Sequence, residues 1–473
     1  MRYFQRSQMK LKASVVCACC LLAFLAGSVH GEELPAATLS VPTVVVDGSN
    51  PDIKVAGLRP NEVVRIHVLR SLTKWKEDGG KWQQARQTLH AYADFTATKD
   101  GLVQVDTQSP LSGTYTKVDP LALLRTGYRI GDPFLKGVRA FPDAPLAAGP
   151  ENRVWVKLER QNSIVAEANF ELEGAAKGIE VQQKFGDGWH AVYARPADGK
   201  NLPVVISLHG SEGGSMDKAR GRAVPFASQG FAAVGVNYFA YSYETIKGIP
   251  TKHSEIKLEI LESIREWLKS RPEVDINRIH LHGTSKGAEF ALLAATRFDW
   301  ITSVVAVVPS DVVWEGYAEG GGKGTTSSSW SVGGKPFPFV PLFPVEPRQE
   351  GLYRTNTERY ERSRLFHGDK VASTRIPIED AKARILLLAS DRDEVWASGA
   401  MARNIAERLV FAGKGEGVQV KIYPKAGHQI SGTGTFPVRL YGEQSSDPEA
   451  KDILAEGDAT SDAWHRTVEF LKR

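Results

Sequence analysis

The chain has 473 residues, more than one domain usually holds, so two folded units are expected. Hydrophobic residues at 42% and charged residues at 24% fit a globular protein and exclude a disordered or fibrous one. The formal charge of +4 does not point to nucleic acid, because Arg2, Arg6, Lys10 and Lys12 carry all of it.

Those four residues form a basic n-region ahead of an apolar stretch from about Ala13 to Ala26. Val29-His30-Gly31 fits a small-x-small cleavage site, so residues 1–31 read as a signal peptide and Glu32 as the first mature residue. The apolar run is short for a permanent anchor, and no later one could span a bilayer, so no stable membrane span is expected after cleavage. Cys17, Cys19 and Cys20, the only cysteines, leave with the leader. A thiol-free, formally neutral mature chain suits export, most simply to a bacterial periplasm.

Residues 32–175 read as all-β. Val64, Ile66 and Val68 alternate with Arg65 and His67 as in a half-buried strand, and short runs recur at Val41–Val46, His90–Ala97, Val103–Asp106, Val154–Leu158 and Ile164–Leu172. Asp47-Gly48, Asp100-Gly101 and Ser112-Gly113 mark turns between them. The pattern predicts an immunoglobulin-like sandwich, with the polar Thr73–Gln87 as a long hairpin or loop.

Residues 176–473 change rhythm. Apolar runs at Val204–Leu208, Ala232–Val236, Arg278–His282, Ser303–Val308, Ile385–Ala389 and Val418–Tyr423 alternate with helical patterns, predicting a mainly parallel sheet with flanking helices. Ile256, Ile260, Ile264 and Leu268 predict an amphipathic helix, and others are expected from Ser285, near Ala397 and near Ser461. From about 310 to 378 the pattern breaks into Gly320-Gly321-Gly322, a Ser/Thr run and a Pro-rich stretch. An insertion this long reads as a cap over an active site or as a surface excursion.

The chemistry centres on Gly283-Thr284-Ser285-Lys286-Gly287. A G-x-S-x-G segment between a strand and a helix holds its Ser hydroxyl clear of the sheet, and Ile279 and Leu281 lead in while Phe290-Ala291-Leu292-Leu293 lead out. This setting predicts an α/β-hydrolase fold with Ser285 as nucleophile. A base and an orienting acid should follow in chain order. Of His367, His428 and His465, only His428 directly follows the final strand. The loop Ser390–Trp396 offers Asp391 or Asp393 as the acid, and the pattern does not choose. Amides for an oxyanion hole are expected from Lys286 and from the loop His209-Gly210-Ser211-Glu212-Gly213-Gly214, with Ser211 favoured over Glu212. His280 and His282 read as structural histidines instead of metal ligands, so neither a metal nor a cofactor is expected. The Gly-rich loop lacks the G-K-[ST] ending of a phosphate-binding loop.

The elbow extended to Ala288-Glu289, Asp393-Glu394-Val395-Trp396, and Ala426-Gly427-His428 resemble the acyl-CoA thioesterase / bile acid-CoA:amino acid N-acyltransferase family. In the N-terminal half, Gly57-Leu58-Arg59-Pro60, Ala93-Asp94 and Gly113-Thr114-Tyr115 are similar to that family's sandwich domain. The resemblance implies Asp393 as the acid, since the family's acid stands three residues before a Trp. It also implies hydrolysis, because the family's amino-acid-conjugating branch uses a Cys nucleophile. The expected substrate is a small-molecule acyl ester or thioester. Export would keep the chain from most acyl-CoA, which leaves the leaving group open. Acyl transfer to an amine or hydroxyl acceptor, and a catalytically silent binding protein, are the rival readings.

Overall fold

The apolar runs of the second half lie side by side in one eight-stranded sheet. The structure, a computed structural model, describes residues 35–242, 246–318, 324–343, 356–442 and 452–473. The leader, its cysteines and the Gly320-Gly321-Gly322 run lie outside the described residues. The strands are β1 (Ile179–Gly186), β2 (Trp189–Pro196), β3 (Leu202–Leu208), β4 (Ala232–Asn237), β5 (Val274–Thr284), β6 (Ile301–Val307), β7 (Arg384–Ser390) and β8 (Val418–Tyr423). Their order across the sheet is β1-β2-β4-β3-β5-β6-β7-β8. Only β1 and β2 run antiparallel to their neighbours; from β4 onward each pairing is parallel. With the elbow after β5, this is the α/β-hydrolase fold.

Helices cover both faces, as the near-continuous apolar strands require. On one face lie α1 (Met216–Ser228) and α7 (Ile453–Lys472), which bury Ala219, Ala223, Phe226, Trp464 and Phe470. On the other lie α2 (Ile260–Lys269), α3 (Lys286–Ala295) and α6 (Ser398–Phe411). The periodicity predicts α2 from Ile256, but the helix starts at Ile260. Glu255 takes a φ of 50°, and Ile256–Lys257 pair in parallel with Trp330–Ser331 of the insertion. Helix α7 starts at Ile453, eight residues before the expected Ser461, because the Asp452 carboxylate caps the Leu454 and Ala455 amides.

The insertion at about 310–378 has regular structure in its described part. Its described part holds strands Glu315–Tyr317, Gly324–Ser328 and Trp330–Val332, then α4 (Asn356–Phe366) and α5 (Gly368–Thr374). Trp314, Tyr317, Val340 and Tyr360 pack with Trp396 and Met401 into a small core of their own.

The N-terminal half is a two-sheet β-sandwich. Thr38–Ser40, Lys54–Ala56 and Val103–Gln104 form a small sheet, and a larger one is built on the hairpin of Val63–Asp78 and Lys81–Thr96. Thr73–Gln87 is the outer part of that hairpin, paired as far as Asp78 and Lys81. Val55 and Val103 from one sheet and Ile66, Ala93, Phe95 and Val156 from the other share a core. This half grips the segment just past His428. Buried Arg70 donates to Thr435 O at 2.7 Å, and Arg439 donates to Thr126 O at 2.6 Å and lies 3.7 Å over the Tyr128 ring.

Candidate active site

Ser285 sits where β5 breaks into α3, with φ 57° and ψ −120°. A non-glycine residue held there stores about 1–3 kcal/mol of strain, which a packed elbow must absorb. The two flanking glycines explain the motif. A Cβ on Gly283 would lie 2.1 Å from Gly287 O, and one on Gly287 would lie 2.5 Å from both Leu208 O and His209 O. The Ser285 amide donates to Val307 O at 2.9 Å, tying the turn to β6.

His428 follows β8, as its place in the chain predicts. Its Nδ1 lies 2.8 and 2.9 Å from the two Asp393 carboxylate oxygens. A carboxylate only accepts, so Nδ1 carries the proton and Nε2 is left as an acceptor. Asp393 is fixed in turn by the Val395 and Trp396 amides at 2.9 and 3.1 Å. The His428 amide donates to Glu394 Oε2 at 2.9 Å. Asp391 is turned elsewhere, held by both Arg403 nitrogens at 2.7 and 2.9 Å. His465 bonds Ser461 O and Asn50, and His367 stands at the start of α5, so neither meets Ser285.

Ser285 and His428 line one cavity of about 600 Å³, without a hydrogen bond between them. Such pairs are often loose before substrate binds. Ser211 and Glu212 line the cavity as well. Among the described residues the Ser211, Glu212 and Lys286 amides donate to no protein acceptor. The Glu212 side chain is already engaged, accepting from the Gly210 amide at 3.1 Å. Tyr317, Asn356, Arg359 and Tyr360 of the insertion line the same space.

The Lys286 side chain runs away from Ser285. Its Nζ meets Glu289 Oε2 at 2.6 Å, and both side chains are buried. Glu289 Oε1 accepts from the Trp314 amide at 3.0 Å and from Trp330 Nε1 at 2.8 Å. Burial lowers the Lys286 pKa and raises that of Glu289, each opposed by the partner charge. No motif in the sequence signals this link between elbow helix and insertion; only Lys and Glu three apart on an apolar helix hint at it. His280 and His282 bond Ser303 and Ser207 across the sheet, at 2.8 and 3.1 Å.

The comparisons with known proteins agree on ancestry. Residues 256–473 match the BAAT / acyl-CoA thioester hydrolase C-terminal family, and residues 49–127 match the acyl-CoA thioester hydrolase/BAAT N-terminal region. The chain belongs to the BAAT/acyl-CoA thioester hydrolase family. Acyl-coenzyme A thioesterase 2, mitochondrial, of Mus musculus is 27% identical over 89% of this chain and 85% of its own. Acyl-coenzyme A amino acid N-acyltransferase 2 of Mus musculus is 23% identical over 92% of this chain and 97% of its own. The family thus includes thioesterases and acyltransferases. An esterase of Pyrobaculum calidifontis, 16% identical, superposes on 62% of this chain and 85% of its own with a TM-score of 0.36. So loose a superposition adds nothing to the sheet order already described. Among the described residues no helix is long and apolar enough to cross a membrane.

Proposed function

We propose that this chain, an acyl (thio)ester hydrolase of the α/β-hydrolase superfamily, works through a Ser285–His428–Asp393 triad and an acyl-enzyme. The supporting observation is the two-oxygen seat of His428 Nδ1 on Asp393, in a cavity shared with strained Ser285. With Nδ1–H committed to Asp393, His428 Nε2 takes the Ser285 proton as Oγ attacks the substrate carbonyl. The Lys286 and Ser211 amides receive the oxyanion, the latter in preference to that of Glu212. The proton then passes from Nε2 to the leaving alkoxide or thiolate, and water resolves the acyl-Ser285.

Residues 310–378 act as a cap in this reading, supported by Tyr317, Arg359 and Tyr360 on the cavity wall. Residues 1–31 serve as a cleaved leader to the periplasm, which Edman sequencing of the fractionated mature protein tests at Glu32.

Purified protein should hydrolyse p-nitrophenyl esters or acyl thioesters, and a fluorophosphonate probe should mark Ser285. Wild-type turnover by Ser285→Ala, or no Ser285 adduct on the wild type, would defeat the triad; a silent binding protein predicts the latter. The N-acyltransferase relatives favour a second reading, transfer to an amine. Conjugated product on adding amino acids, at the expense of free acid, would establish it.

A further inference from the structure

The cavity that holds Ser285 carries more positive than negative charge. Among its described lining residues Lys218 and Arg222 stand against a single carboxylate, Glu212. Arg222 is the informative one. It stands on α1, one turn after Lys218, and only its Nη2 is spent on protein. Nη2 donates to Val236 O at 2.8 Å and to Asn237 Oδ1 at 2.7 Å. Asn237 is itself immobilised by His190 and by Ser215 O, both at 3.0 Å, so the guanidinium is clamped along one side. Its Nε is buried with no acceptor, and among the described residues no carboxylate lies within ion-pair reach.

A guanidinium has five N–H donors, and a buried one left unpaired is costly. Burial lowers the Arg222 pKa to about 10, which leaves it charged at neutral pH. His209 and His282, the neighbouring titratable groups on the cavity wall, are held neutral by their own burial and supply no counter-charge. Glu212, the one carboxylate on the wall, is exposed and accepts from the Gly210 amide; its charge favours protonated Arg222 from beyond ion-pair distance but gives the buried Nε no acceptor. The missing partner is therefore an anion that arrives from the cavity.

We propose that Arg222, with Lys218 beside it, selects substrates that carry a second, anionic group, a carboxylate or a phosphate, apart from the bond that is cut. The inference rests on the hydrolase reading and narrows its substrate class. An anion at Arg222 would lie along α1 while the scissile carbonyl sits at Ser285, so the substrate is charged at one end and acylated at the other.

Two paired series test it. Mono-p-nitrophenyl adipate, suberate and sebacate are compared with p-nitrophenyl hexanoate, octanoate and decanoate, which places the charge on the acyl side. Octanoyl-phosphopantetheine is compared with octanoyl-pantetheine, which places it on the leaving group. The readout is the kcat/KM ratio of charged to neutral substrate, which a general loss of fold or activity would not move. Arg222→Met should lower that ratio at least fivefold in one series, and the series that responds identifies the anion's source. A smaller change in both overturns the inference. Should Arg222→Met not fold, Lys218→Ala carries the same measurement, since that side chain is exposed. At least a twofold fall is then expected, and less in both series overturns the proposal. Failure of this inference leaves neutral esters hydrolysed and Ser285 labelled; failure of the hydrolase reading removes both.

Discussion

Asp47, on the N-terminal sandwich, accepts hydrogen bonds from Thr433 Oγ1 at 2.9 Å to each carboxylate oxygen, five residues past His428. Thr435 Oγ1 also donates to Asp47, and Thr435 O accepts from Arg70. The segment that follows the proposed base is thus buttressed by the other half of the chain. Asp47→Ala should lower kcat by roughly tenfold with a smaller effect on KM, because a shift of His428 by about an ångström impairs proton transfer more than binding. Asp47→Asn, which keeps one acceptor, should recover part of the loss. Steady-state kinetics on both variants checks this, and an unchanged kcat in Asp47→Ala would show that the loop holds its shape alone.

The elbow glycines allow a second test. Gly283→Ala and Gly287→Ala each drive a methyl into backbone carbonyls at 2.1 and 2.5 Å, atoms that cannot swing aside. Each should cost at least about 2 kcal/mol of stability, as overpacking of a rigid core does. Urea unfolding measures it. Near wild-type midpoints would mean that the elbow can open.

Glu289→Gln leaves Lys286 charged and buried without its counter-ion, which should destabilise by about 3–5 kcal/mol. The double variant Lys286→Met/Glu289→Gln removes both charges and should recover much of that loss. Urea unfolding of both singles and the double forms a thermodynamic cycle. Additive losses would mean that the pair does not interact.

Stability should fall in mild acid. Burial holds His67, His280 and His282 near a pKa of about 4 and His90 near about 3, against an ordinary 6.5. Between those limits the unfolded chain binds protons that the native chain refuses, so stability is complete above pH 6.5 and drains as the pH drops towards 4. Circular dichroism melts at constant ionic strength should show Tm declining through that window. A level Tm from pH 7 to 4 would mean that these rings are hydrated in the native state.

The candidate site is legible where local chemistry fixes a position. The glycines of the elbow are demanded by carbonyls a few ångströms away, and His428 is placed by the end of β8. Asp391 and Asp393 could not be separated by pattern, since what turns Asp391 away is Arg403, on the helix that follows. Strand β1 is illegible because Glu180, Gln182, Gln183 and Lys184 make it polar on an exposed edge. Helix α1 was hidden by Gly221 and Pro225 inside it. The order within residues 310–378 was illegible for another reason. Its partners are Glu289, Ile256 and Trp396, outside the segment, and periodicity within a segment carries no information about them.

The bond between Glu289 and the two insertion tryptophans also bears on biosynthesis. As the chain leaves the ribosome, Ser285 and Glu289 emerge well before Trp330. Until that indole docks, α3 would bury a carboxylate whose Oε1 still lacks its donors. The proposed nucleophile therefore begins a helix whose buried carboxylate is satisfied only by sequence made after it.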